Sequence, residues 1–264
     1  MWIDTHCHLD SDKFSADRDA VIEKAQSKGV RGFVVPSVER VSFSAVRATA
    51  MGIPGCTYTL GIHPMYTSRA QDVDIKFLRE KVKIAIDDDP FFVGIGEIGL
   101  DFFVKGFDLE RQMRFYTSQL KIACDFDLPV ILHVRRAQDL ILKQLRVYHP
   151  RGGIVHAFNG SHQQAESFIK LNFKLGIGGA MTFERALQIR RLAKNISLSA
   201  LVLETDAPDI PPASMRKEAR NSPIYLPYIA AELASLRQLS LEQLSEATCG
   251  NAFAALPRLA SVIA

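Results

Sequence analysis

At 264 residues and 47% hydrophobic content, the chain is long enough to bury a substantial core, and residues 1–264 are expected to form a single domain. A formal charge of +3 is too small for a surface that coats nucleic acid or lies on a membrane, so any polyanion must be met by a local cluster. Four widely spaced cysteines, at 7, 56, 124 and 249, contain no C-x-x-C pair, which argues against a disulfide framework or thiolate zinc site and fits a reducing cytoplasm. Asp4 falls too early for a signal peptide, and no apolar run reaches the roughly 18 residues of a membrane span, so a cytoplasmic location is expected.

Apolar, β-branched or glycine-bounded runs recur at 2–9, 31–38, 56–63, 91–98, 129–135, 153–158, 173–179 and 201–206, and these predict strands. Segments with helical spacing follow them at 17–28, 43–51, 74–87, 108–126, 137–148, 161–171, 182–194 and 223–237. Strand-then-helix alternation implies parallel pairing, and eight such units in about 250 residues predict an α/β fold of the closed (β/α)8 TIM barrel type. The competing doubly wound sheet would carry a glycine-rich phosphate loop after an early strand, and none follows the first or second run. One extra C-terminal helix, over 241–262, is expected to pack outside the barrel, with Pro257 ending or bending it.

Barrel enzymes carry their chemistry where the strands end. The first run ends in His6 and His8, which share a strand face with Asp4. The third ends in Gly61-Ile62-His63-Pro64, the fourth in Gly96-Glu97-Ile98-Gly99-Leu100-Asp101, the fifth in His133, the sixth in His156 and the eighth in Glu204-Thr205-Asp206. His149 and His162 fall elsewhere and are assigned to the solvated surface. Taken singly, His133 or His156 reads as a hydrogen-bonded core histidine and Asp206 as an N-cap. Glu97 is harder to dismiss, because a lone carboxylate among Val93, Ile95 and Ile98 is costly to bury without a cation. Jointly the residues suit one divalent metal ion held by three imidazoles or two ions that share four; in the second case Glu97 is the candidate bridge, with His6, His8 and Asp206 on one ion and His133 and His156 on the other. Nitrogen ligands suit zinc, manganese, iron or nickel better than magnesium. Ions roughly 3.5 to 4 Å apart would share a water acidic enough to attack at neutral pH.

These segments, with Ile3-Asp4-Thr5-His6-Cys7-His8-Leu9-Asp10 at the start and His156-Ala157-Phe158-Asn159-Gly160, Glu204-Thr205-Asp206-Ala207-Pro208 and Arg220-Asn221-Ser222-Pro223 later, stand in an order that resembles the TatD family of metal-dependent deoxyribonucleases, within the amidohydrolase-type barrels. The resemblance implies that His6, His8, Glu97, His133, His156 and Asp206 occupy the family's ligand positions, and that His63 helps bind substrate phosphate. It further implies removal of nucleotides from single-stranded DNA ends, as a 3'-5' exonuclease using Mg2+ or Mn2+, with Zn2+ as an alternative occupant. One lineage of the family resembles deacylases of D-aminoacyl-tRNA. Asn159 stands where many members have Ser, and Ser222 where Glu is common; neither is a ligand position.

The expected reaction is phosphodiester hydrolysis by a metal-activated water, with Asp206 accepting its proton and Glu97 acting through the ions. Glu204, on the strand face of Asp206, either orients a ligand histidine or pairs with a buried arginine. Arg135 and Arg136 after His133, and Arg216, Lys217 and Arg220 after the eighth strand, are candidates to engage substrate phosphates, a solvated basic loop being the alternative for 216 and 217. Phe102, Phe103 and Phe107 can stack an unpaired terminal base or pack beneath their own loop. The modest charge favours a strand end in a cleft over a wrapped duplex, with single-stranded DNA, RNA or tRNA as the substrate partner. Two rivals stand beside this reading. One is an ester or amide hydrolase, acting on D-aminoacyl-tRNA or a small amide through the same two-metal centre; the other is a binding protein on a barrel scaffold, which has no need of so complete a ligand set. No membrane contact and no obligate protein partner is expected.

Overall fold

The computed structural model describes residues 1–215 and 219–263; Arg216 and Lys217 lie outside the described residues. Strands β1 (Trp2–Asp4), β2 (Val30–Pro36), β3 (Cys56–Leu60), β4 (Phe92–Asp101), β5 (Val130–Arg135), β6 (Gly153–Val155), β7 (Phe173–Ile177) and β8 (Leu201–Leu203) pair in parallel in chain order. Helices α1 (Arg18–Ser27), α2 (Phe43–Gly52), α3 (Asp72–Asp88), α4 (Leu109–Asp125), α5 (Gln138–Tyr148), α6 (His162–Lys170), α7 (Leu187–Asn195) and α8 (Leu226–Arg237) each follow a strand, and α9 (Leu241–Ala255) comes after them. Residues just past the strand ends join β8 to β1. Thr5 N–H donates to Leu203 O at 3.0 Å and Asp206 N–H to His6 O at 2.9 Å, so the sheet closes as a (β/α)8 TIM barrel.

The strands form because both of their faces are buried. Inward-facing Ile3, Val34, Val93, Ile131, Ile154 and Val202 fill the N-terminal end of the barrel, while Phe33, Val35, Tyr58, Ile95 and Leu132 pack into the larger core. The extra C-terminal helix forms and Pro257 ends it as expected; what departs from expectation is where the residues after it go. α9 ends at Ala255, Pro257 opens a 3-10 turn (Pro257–Ser261), and Leu256, Leu259 and Ile263 pack onto the inner apolar layer, plugging the barrel instead of lying outside it. Arg258 clips this plug in place, donating to Phe92 O (2.6 Å), Ile86 O (3.1 Å) and Asp89 O (2.8 Å). The end of the barrel opposite the plug is left for function.

Apart from the tail, two element boundaries depart furthest from expectation. β1 stops at Asp4 because the Asp4 carboxylate accepts the Thr205 N–H (2.9 Å), the Thr205 hydroxyl (2.6 Å) and the His6 N–H (3.4 Å), which turns the chain toward β8. Asp4 therefore ties two strands together and does not point with His6 and His8. α7 begins at Leu187 because Gly179–Thr182 forms a 3-10 turn and Phe183 leaves it with extended backbone. Among the described residues no helix is long and apolar enough to cross a membrane.

Candidate metal centre

All five strand-end histidines face Glu97, which is 2% exposed. The two carboxylate oxygens meet different donors. Oε2 lies 3.2 Å from His6 Nε2 and 3.8 Å from His8 Nε2, and both of these nitrogens are within 3.6–3.8 Å of Asp206 Oδ1. Oε1 lies 2.8 Å from His133 Nδ1, 3.3 Å from His63 Nε2 and 3.5 Å from His156 Nε2. Residues separated by 200 positions in the chain thus share one pocket because each stands at the C-terminal end of its strand. Asp206 itself has a left-handed backbone (φ 56°). Such a conformation is uncommon outside glycine and is tolerated where it aims a side chain into a site.

Without a cation these groups are poorly matched. His6 is fully buried, and neither of its ring nitrogens has a hydrogen-bond partner among the described residues, although its ring stacks on His156 at a centroid distance of 3.7 Å. A polar ring buried in that state costs several kcal/mol, on the order of a lost hydrogen bond per nitrogen, unless its lone pair meets an ion. Burial, with His156 alongside, holds His6 well below the usual imidazole range, so it offers a free lone pair. Burial pushes Glu97 upward, but His63, His6 and His156 together with the bond to His133 outweigh it and hold the carboxyl well below its usual range. The donor set, imidazoles that offer a lone pair once deprotonated beside carboxylates, is one that divalent cations take, with His156 giving up a proton to join it. His6, His8 and Glu97, then His6, His156 and Asp206, and then His63, Glu97 and His133, each bring ligand atoms within 4.8 Å of one another.

His63 differs from the rest. Its Nδ1 accepts the Met65 N–H at 3.1 Å, so the neutral ring carries its hydrogen on Nε2 and presents a donor to the centre. Burial pushes its pKa down to about 4, which keeps the ring neutral at physiological pH. A neutral N–H donor suits an anionic oxygen of a ligand better than it suits a metal ion.

Two carboxylates hold histidines in place from behind. Glu204 Oε1 accepts the Ala157 N–H at 2.6 Å and stands 3.3 Å from His156 Nδ1, so the orienting alternative read from the sequence is the one its position allows; no arginine meets it among the described residues. Gly176 makes room for it, since a Cβ there would collide with the Glu204 carboxylate. Asp101 is the residue that sequence reasoning passed over. Its Oδ2 meets His133 Nε2 at 3.0 Å, leaving Nδ1 to face Glu97, and its Oδ1 accepts the N–H groups of Phe103 (2.8 Å) and Val104 (3.4 Å). Burial raises the Asp101 carboxyl, but its bonds to His133 and Phe103 bring it below the usual carboxylate range. The available signal was its even spacing from Glu97 along one strand, which puts both on the same face.

The centre opens into a cleft of about 940 Å3 lined by His8, His63, Phe103, Arg135, Asn159 and Asp206, among others. Arg135 and Arg136 stand exposed on its rim. Arg220 does not line it. Its guanidinium pairs with the Asp17 carboxylate through two bonds of 2.6 and 2.7 Å and lies over the Phe14 ring, so the expected substrate contact is already spent on the protein. Phe102 and Phe107 stack on each other, and Phe103 alone of the three faces the cleft. His149 and His162 are exposed, as expected, and all four cysteines are free.

A closed parallel barrel whose strand ends gather histidines and carboxylates about one buried glutamate defines a metal-dependent hydrolase. The family model described as TatD related DNase matches residues 3–257, and the chain belongs to that family. It is 38% identical over 254 residues to the metal-dependent hydrolase YjjV of Escherichia coli K12, covering 96% of both chains. It is 32% identical to the 3'-5' ssDNA/RNA exonuclease TatD of Erwinia billingiae, covering 94% of this chain and 96% of that one. The crystal structure of YjjV superposes with a TM-score of 0.92 at 36% identity, covering 97% of this chain and 98% of the other.

Proposed function

We propose that the chain is a two-metal phosphodiesterase that removes nucleotides from the 3' ends of single-stranded DNA or RNA. The observation that carries this is the division of donors around Glu97, one oxygen toward His6 and His8, whose Nε2 atoms also face Asp206, and the other toward His133, His63 and His156. In this reading His6, His8, Asp206, His133 and His156, together with Glu97, would hold two divalent ions, Mg2+ or Mn2+ in use with Zn2+ as an alternative. When bound, the ions neutralise nonbridging phosphate oxygens and lower the pKa of an attacking water.

The protein supplies the rest. Burial, with Glu97 and Glu204 nearby, pushes the Asp206 carboxyl up to about 6 against the opposing pull of His156 and His8. A base so placed accepts a proton from the attacking water near neutral pH. A water O–P bond then forms as the bond from phosphorus to the leaving 3' oxygen breaks, and that oxygen takes a proton from solvent to leave as a 3'-hydroxyl. His63 donates its Nε2–H to a phosphate oxygen, and Arg135 at the rim meets an adjoining phosphate. Glu204 and Asp101 keep His156 and His133 turned toward Glu97. The 32% identity to the Erwinia protein named a 3'-5' ssDNA/RNA exonuclease supports the 3'-5' direction and the single-stranded substrate.

Linear and circular single strands of the same sequence, incubated with metal-loaded protein, test the reading. Stepwise loss from the 3' end of the linear strand with intact circles is expected. Rapid nicking of circles, or cleavage of D-aminoacyl-tRNA or small amides with none of either strand, would overturn it.

A further inference from the structure

The loop leaving β4 places Phe103 at the cleft rim, 48% exposed. The guanidinium carbon of Arg135 lies 3.7 Å from its ring centroid and that of Arg136 lies 4.8 Å away. Neighbouring residues leaving a strand point to opposite faces, so two consecutive arginines do not ordinarily reach one ring. Here Arg136 adopts a left-handed backbone (φ 58°), which brings its side chain round to the side of Arg135. Neither guanidinium has an ion-pair or hydrogen-bond partner among the described residues. Two guanidiniums are therefore gathered over one aromatic ring at the rim with no carboxylate in direct contact among the described residues; the anion nearest in the fold, Asp101, stands opposite Arg135 in the β4–β5 pairing and is already bonded to His133.

This point is also tied to the centre. Asp101, which holds His133, accepts the N–H of Phe103, so the ring is fixed relative to Glu97. Phe102 and Phe107, stacked at 4.8 Å, stiffen the same loop and are not free to act as platforms.

We propose that Phe103, Arg135 and Arg136 form a nucleotide subsite that holds an unpaired base and its phosphate on a part of the strand away from the bond being cut. The inference rests on the phosphodiesterase reading and names the part of the substrate that the rim selects. A ligand that matches a flat π surface flanked by two cations carries a flat ring and an anion a few ångströms apart, which describes a nucleotide. Any base has a π-face, so the subsite tolerates every sequence. A base within a duplex already has both faces stacked, so the subsite selects single strands. Neutral sugars leave both guanidiniums without a counter-charge, and an acidic peptide supplies a charge with no flat ring beside it unless it also carries an aromatic residue.

Two measurements on the full chain test this. The first is the dissociation constant of fluorescently labelled pentathymidylate, by anisotropy in EDTA. The second, with Mn2+, is the ratio of kcat/KM for pentathymidylate to that for thymidine 5'-(4-nitrophenyl phosphate), which is too short to span centre and rim. Phe103→Ala is expected to weaken binding and lower the ratio by about tenfold each, the lower part of the range for one base–aromatic stack. Phe103→Tyr is expected to restore both. Binding and ratio within twofold of native, or an equal loss on both substrates, would overturn the subsite. If the native chain binds the oligonucleotide but cleaves neither ester, the phosphodiesterase reading fails while the binding measurement still decides the subsite.

Discussion

Replacing Glu204 with Gln takes a charge away from His156 while keeping a buried side chain of the same shape. In the native chain Glu204 Oε1 accepts the Ala157 N–H at 2.6 Å and faces His156 Nδ1 at 3.3 Å. The Gln carbonyl can keep the Ala157 bond, so the fold should survive. What disappears is the anionic acceptor that holds the His156 ring with Nε2 toward Glu97. Partners of this kind are worth about 10- to 100-fold in metal affinity, or about 1.4 to 2.7 kcal/mol. E204Q is therefore expected to raise the dissociation constant for Mn2+ or Zn2+ by that factor, and to lower the stability of the metal-free protein at pH 7, where Glu204 is one of the carboxylates that hold the proton on His156. Isothermal titration calorimetry on stripped protein, beside thermal unfolding, gives both values. A dissociation constant within twofold of native would refute the orienting role. Glu204→Ala is a different perturbation, because it leaves the buried Ala157 N–H without an acceptor and should cost about 1 to 3 kcal/mol of stability.

The metal-free protein should lose stability between pH 7 and 10. Burial lowers the His156 pKa, but Asp206, Glu204 and Glu97 outweigh it and raise the ring to about 10, so its contribution is complete below the unfolded value of about 6.5 and lost as pH rises toward 10. Asp206, raised to about 6, and Glu97 and His6, both lowered, have finished titrating below this window. Thermal melts in EDTA across that range check it, and a flat profile would contradict it. Metal affinity should move the opposite way, rising up to about tenfold per pH unit from 7 to 9 as His156 surrenders its proton, with proton release visible as a dependence of calorimetric heat on buffer. At the far end of the barrel, Arg258→Ala removes three bonds to backbone carbonyls and should cost about 2 to 4 kcal/mol in urea unfolding while leaving kcat unchanged. A variant of native stability would show that the plug holds without its clip.

The barrel was legible because parallel strands buried on both faces appear as short apolar runs, and because helices of ordinary length separate them. The strand-end rule then picked out His6, His8, His63, Glu97, His133, His156 and Asp206, and the structure draws all seven into one pocket. What escaped depends on contacts that no local pattern encodes. The sequence marks Asp101 as the end of a strand and shows no task for it, since its partner His133 lies 32 positions away on the next strand. Arg220 was placed by its charge alone, and its pairing with Asp17 crosses 203 positions of chain. Alternation put Asp4 beside His6 and His8, yet its hydrogen bonds to Thr205 end the strand there. The tail was recognisably a helix, but its destination follows from the apolar interior it has to cover.

Glu97, with two sets of donors facing its two oxygens, decides whether the centre holds a pair of ions. Elemental analysis of metal-loaded, gel-filtered native chain beside Glu97→Ala tests this directly, with turnover of a labelled single strand recorded on the same samples. Two equivalents of divalent ion in the native chain, at most one in the variant, and turnover lost with the second ion are expected. A variant that retains both ions and cuts at the native rate would contradict the bridging role and, with it, the proposed centre.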